Sequence, residues 1–85
     1  KSLVQLAADR DASKDLVARA QRDLLAFRNP YLARPVLTPD EAAEIQGMDG
    51  AERVRWAERR FADAVAALEA AKQAYDLAKA SPPSN

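Results

Sequence analysis

The chain has 85 residues, with 13 basic and 13 acidic side chains, no histidine and no cysteine. Balanced charge gives no overall field that would attract nucleic acid or an anionic membrane, and the lack of cysteine excludes disulfides, thiolate catalysis and thiolate metal sites. The length allows one small domain, and many of the hydrophobic residues, 48% of the chain, are alanines of small area. A hairpin with so thin a core is expected to be marginal alone, and dimerisation is a common remedy.

Composition leaves the compartment open. No apolar run approaches the roughly 20 residues that span a bilayer, and membrane contact is not expected. The first residue is Lys1 rather than Met, as in a processed chain or a segment of a longer protein. The protein can be cytoplasmic, or periplasmic or secreted after processing. The abundance of Ala, Arg and Asp suits a GC-rich bacterial genome.

The first predicted helix covers residues 2–27. A stripe of mostly apolar residues runs along this helix. Five polar side chains lie off the stripe and are expected to form a solvated face: Lys14, Asp15, Arg19, Arg22 and Asp23. The helix ends before Pro30, since the residue preceding proline is pushed out of the α region. The stripe itself follows alternating spacings of three and four: Leu3, Leu6, Arg10, Ser13, Val17, Ala20, Leu24 and Phe27. Within it, Arg10 and Ser13 can form a buried polar pair or line a small polar site, but the favoured interpretation is that Arg10 extends its head to water.

Residues 28–38 are predicted to form an ordered loop, because Pro30 and Pro35 prevent a helix from continuing. The loop is too apolar for a flexible linker. Its apolar residues are expected to cap the tip of the hairpin and to cover Trp56; they are Tyr31, Leu32, Val36 and Leu37. An alternative is that these four residues and Trp56 form a loop-tip contact with another protein, as in an exported accessory or inhibitor protein.

A short helix is predicted over residues 39–46. Thr38, Pro39 and Glu41 supply an N-cap, a proline at the first helical position and the third residue of a capping box. Gly47 is expected to supply a left-handed C-terminal residue. Asp49 then caps a final helix over residues 50–80. Ser81, Pro82 and Pro83 end this helix, and residues 81–85 are expected to be a frayed tail or a linker.

The final helix carries the strongest pattern in the chain, a seam in which large side chains alternate with alanine. Its members are Val54, Ala57, Phe61, Ala64, Leu68, Ala71, Tyr75 and Ala78. Alanine at every other layer allows a second helix to approach closely. The seam therefore predicts that the first helix packs closely on the last. Because the connector of about 20 residues is shortened by its own helix, we expect an antiparallel hairpin over residues 1–80, with Leu24 and Phe27 near Val54 and Leu3 near Tyr75.

Both long helices are apolar over more than one stripe. The additional apolar positions are Val4, Ala8, Ala12, Leu16 and Leu25 in the first helix, and Ala62, Val65, Ala66, Ala67, Ala70 and Ala74 in the last. Leu16 and Leu77 are further candidates for contact with another chain. Two broad faces favour an all-α protein that dimerises into a four-helix bundle. The expected function is non-enzymatic: a protein–protein interaction or structural module whose partner is a second copy of the chain.

A nucleic-acid interface is the main alternative. A short helix, a turn at Gly47 and an arginine-rich helix outline a helix-turn-helix, with Arg53, Arg55, Arg59 and Arg60 as its contacts. The fit fails because Arg53 falls where the second helix needs an apolar residue, and because glutamates at helical spacing offset the arginines. Catalysis has less support, since the chain lacks histidine, cysteine and a glycine-rich phosphate loop. No catalytic, cofactor-binding or metal-binding residue is predicted.

Overall fold

The computed structural model describes residues 1–81, and this part of the chain is helical without strands. Helix α1 spans Leu3–Arg28, α2 spans Pro39–Ile45 and α3 spans Gly50–Ala80. Helix α1 begins and ends one residue later than predicted, and α2 ends one residue earlier. Ser81 closes α3, where its backbone N–H and its hydroxyl both bond to the Leu77 carbonyl oxygen at 3.1 and 2.8 Å. The predicted tail otherwise lies outside the described residues.

A reciprocal capping box begins each helix. In α2 the Glu41 carboxylate accepts from the Thr38 N–H at 2.8 Å, and the Thr38 hydroxyl accepts from the Glu41 N–H at 3.2 Å. Asp49 and Glu52 do the same for α3, and Ser2 and Gln5 for α1. The box at Ser2 was not predicted, although its sequence has the required spacing. Each box satisfies two backbone donors that the first turn leaves unpaired.

The end of α2 corrects the prediction for Gly47. Among residues 1–81 no glycine has a positive φ, so Gly47 is not a left-handed cap. Instead, Gln46 keeps right-handed helical angles, and the Met48 N–H reaches the Ile45 carbonyl oxygen at 3.0 Å. The last turn of α2 is therefore tightened, and the chain continues directly to Asp49, the N-cap of α3. No left-handed conformation is needed at Gly47.

Helices α1 and α3 pack antiparallel. At the connector end, the rings of Phe27 and Trp56 meet edge to face with centroids 6.3 Å apart. Towards the other end, the Arg10 guanidinium lies 4.4 Å from the centroid of the Tyr75 ring. Arg10 is half-buried against this ring, so its head does not extend freely to water as expected. The resulting hairpin is a rod with extents of 57 × 22 × 17 Å.

The core between the two long helices is thin. The eight seam residues are half-buried or buried, whereas most of the residues between them are exposed. The buried apolar side chains of the described residues are Ala20, Leu24, Ala26, Ile45 and Ala57. The accessible surface is 6250 Å², against about 5,000 Å² for a compact monomer of this mass. The hairpin therefore leaves much of its surface uncovered.

The connector does not cap the hairpin tip as predicted. Tyr31 is 97% and Leu32 78% exposed. Both lie in a turn closed by a bond of 3.0 Å from the Leu32 N–H to the Asn29 carbonyl oxygen. Beyond the turn the chain runs back alongside α1, which carries Val36 away from the tip. Trp56 is half-buried, and its ring is contacted by Phe27 and by the Arg60 guanidinium, 5.2 Å from its ring centroid.

Candidate functional site

The returning connector is held by a cluster of four charged side chains, Arg19, Asp23, Glu41 and Arg60, which we call the charged cluster. Asp23 on α1 is only 1% exposed. It accepts a hydrogen bond from the Val36 N–H at 2.8 Å and another from the Arg60 guanidinium at 3.0 Å. The expectation that Asp23 lies on a solvated face is therefore wrong: the connector covers this side of α1.

The same cluster anchors α2. Arg60 also pairs with Glu41, and Arg19 reaches the other Glu41 oxygen at 2.6 Å. The Arg19 Nε–H donates to the Val36 carbonyl oxygen at 3.3 Å, so Arg19 is not simply solvated either. A single ion network thus joins α1, the connector, α2 and α3. Its charges compensate one another, as charges held away from water require.

Glu41 remains ionised in this setting. Burial alone would raise the pKa of its carboxyl group. Hydrogen bonds from Thr38 and the positive charges of Arg60 and Arg19 outweigh that effect and hold the pKa below its usual value of 4.5. A carboxylate that is already neutralised by two guanidinium groups is a poor general base. The charged cluster is therefore interpreted as structural: it holds the connector and α2 against the two long helices.

The four arginines of the alternative nucleic-acid interface have different environments. Arg60 belongs to the charged cluster. The Arg53 guanidinium is half-buried and reaches the Gln46 carbonyl oxygen at 3.5 Å. Arg55 and Arg59 are exposed, and they line shallow grooves beside the acidic side chains of Glu44, Glu52 and Asp63. The structure does not bring the four guanidinium groups together on one free surface.

The side of the hairpin opposite the connector is uncovered. We call this side the open face and define it by Leu24, Leu25, Phe61, Ala62 and Val65. A groove of about 520 Å³ runs along it. Leu25 is 53% and Val65 37% exposed, while an exposed ion pair of 3.3 Å between Arg28 and Glu58 closes the end of the groove.

The other residues predicted for contacts lie apart from this groove. Leu16 and Leu77 are exposed, and Leu77 borders a separate depression with Gln73 and Asp76. Tyr31, Leu32 and Val36 are exposed on the connector, and Leu37 and Trp56 are half-buried. The seam residues lie between α1 and α3, where they pack the hairpin itself, and one of them, Phe61, also lines the groove.

Among residues 1–81, no set of three or more acidic side chains is placed to hold a metal ion. In the same part of the chain, no helix combines the length and the apolar character needed to cross a membrane. In comparisons with models of protein families, with curated proteins and with solved structures, the chain matches none of them.

Proposed function

We propose that this protein is a non-enzymatic interaction module that associates with a second copy of itself to form a helical bundle. The observation that carries the proposal is the mismatch between its thin core and its large uncovered surface. Three of the five buried apolar side chains are alanines, and the accessible surface is 6250 Å². This exceeds the value for a compact monomer by more than about 1,000 Å².

The excess is comparable with the area that one partner buries in a stable complex, about 800 Å². Amphipathic hairpins commonly hide such surface by pairing into four-helix bundles. The charged cluster supports this role, because it fixes the connector on one side of the hairpin and leaves the opposite side accessible.

Light scattering across a range of concentrations tests the proposal. We expect a solution mass of twice 9.3 kDa at micromolar concentrations, and dissociation on dilution. A thermal midpoint that rises with protein concentration would be the matching equilibrium signature. A mass of one chain at every concentration would contradict the proposal.

A second candidate function is binding of another protein through the connector turn, favoured by the exposure of Tyr31 (97%) and Leu32 (78%). Tyrosine is enriched at interface hot spots. This contact would use a different surface from self-association. A partner retained by the wild type but not by Tyr31→Ser would support it, and equal retention by both would contradict it.

The nucleic-acid proposal now depends on the exposed Arg55 and Arg59. It predicts binding to DNA or RNA that weakens with salt and with replacement of these two residues. No retention on either nucleic acid at low salt would remove it.

A further inference from the structure

The two ends of the rod differ in how deeply their side chains are buried. We call residues 18–66 the base, which includes the connector and α2. The rest of the two long helices, residues 3–17 and 67–80, forms the arm, in which the seam residues are at most half-buried. Every buried residue of the described chain lies in the base: Ala20, Asp23, Leu24, Ala26, Ile45 and Ala57. The closed core is therefore confined to the base.

The ion pairs between α1 and α3 are confined to the base as well. Asp23 pairs with Arg60 at 3.0 Å, and Arg28 pairs with Glu58 at 3.3 Å. The ion pairs that involve the arm instead join residues at most eight positions apart along the chain. Among residues 1–81, no ion pair ties the two helices of the arm together.

The seam itself contributes little apolar area in the arm. Arg10 lies beside Tyr75, with its guanidinium 4.4 Å from the ring centroid. One turn further along α1 and one turn back along α3, Ser13 and Ala71 lie at the same level of the seam. A hydroxymethyl and a methyl group remove little apolar surface from water. The middle of the arm is therefore held by few apolar contacts.

These differences affect how the rod opens. Helices in proteins are stabilised mainly by the packing of an apolar face rather than by intrinsic propensity. Regions with few buried apolar contacts open at a lower free energy than a closed core does. In the base, the charged cluster and the buried side chains hold α1, α2 and α3 together, so the base can stay closed when the arm opens.

The geometry points to a rod that opens at one end: the two helices of the arm separate as one unit while the base stays closed. The inference concerns the single chain and goes beyond the proposed self-association. Once separated, helical segments of about 15 residues are marginal by themselves, so their amides become accessible to water. Opening also uncovers an apolar surface that the closed hairpin does not present and that is distinct from the open face. Its large side chains are Leu6, Val17, Leu68 and Tyr75.

Native-state hydrogen exchange of the wild type, followed residue by residue by NMR at low urea concentrations, tests the inference. We expect the amides of the arm to exchange at least about tenfold faster than those of the base. We also expect them to share one urea dependence, weaker than that of the base because less surface is exposed. Equal rates and equal urea dependence in both parts would overturn the inference. Arm amides that exchange independently of urea would also overturn it, because they would report the fraying of single residues.

Light scattering on the same samples separates this inference from the proposed function. Fast exchange of the arm in a chain that stays single would support the inference and contradict self-association. A dimer whose arm is as protected as its base would support self-association and overturn the inference.

Substitutions in one part should leave the other part unchanged. Tyr75→Ala removes the ring beside Arg10 and should speed the exchange of the arm alone by about tenfold. Leu77→Ala is the matched control, since Leu77 lies on the same turn but is 71% exposed; it should change neither part. Asp23→Ala should speed the exchange of the base and leave the arm nearly unchanged. Acceleration of both parts by Tyr75→Ala would show that they open together, which would overturn the inference.

Discussion

Asp23 on α1 and Arg60 on α3 form an ion pair of 3.0 Å, and the Asp23 side chain is 1% exposed. Because Asp23 also accepts the Val36 N–H, it joins the two long helices and the connector at one point. Breaking a buried pair of this kind leaves an uncompensated charge and an unsatisfied donor, which is strongly destabilising.

Asp23→Ala should therefore lower the free energy of unfolding by about 3 kcal/mol. Asp15→Ala is the matched control, since Asp15 lies on the same helix but is exposed; it should change stability by less than about 0.5 kcal/mol. Chemical denaturation of both variants measures the difference. Equal stability of the two would show that the charged cluster does not hold the fold.

Acid should weaken the attachment of α2 through Glu41. The pKa of Glu41 in the folded chain lies below its usual value of 4.5, so its contribution to stability is complete above that value and is lost as the pH falls through the folded pKa. We expect the thermal midpoint of the wild type to fall more steeply below pH 4.5 than that of Glu41→Gln. Parallel curves for the two proteins in this range would contradict the role of Glu41.

The close approach of α1 and α3 depends on alanine in the seam. Ala64→Leu should cost about 1–3 kcal/mol, because the larger side chain pushes the helices apart. Ala66→Leu makes the same substitution on an exposed position of the same helix and should be close to neutral. Thermal melts decide the matter: if Ala64→Leu is as stable as Ala66→Leu, the seam is not closely packed.

The exposed connector turn should be dispensable for folding. Tyr31→Ser removes an aromatic ring that is 97% exposed, so the free energy of unfolding should change by less than about 0.5 kcal/mol. Denaturant titration of the variant measures this change. A loss of about 2 kcal/mol or more would mean that Tyr31 packs against the hairpin after all.

Local patterns predicted the helices because the relevant physics is local. The capping residues Thr38 and Asp49 act within one turn, and the break before Pro30 follows from a clash between neighbouring residues. The close packing of α1 on α3 also follows from a short-range observation, the alternation of large and small side chains along α3. These features can be predicted without knowing the path of the connector.

The charged cluster could not be predicted in this way. In the sequence, Asp23 and Asp15 are both acidic residues off the apolar stripe. The two residues differ because the connector returns along α1 and places Val36 beside Asp23. Asp23 is therefore buried, whereas Asp15 stays exposed. The same return explains why Tyr31 lies at the outer turn. No spacing between residues 23, 41 and 60 indicates that they meet.

Small-angle X-ray scattering is the decisive experiment for side-by-side self-association, since it gives the mass and the longest dimension together. We expect a particle of twice the single-chain mass of 9.3 kDa whose length stays near the 57 Å of one hairpin while its cross-section grows. A single-chain mass at every concentration, or a doubled mass with a length approaching twice that of the hairpin, would contradict it.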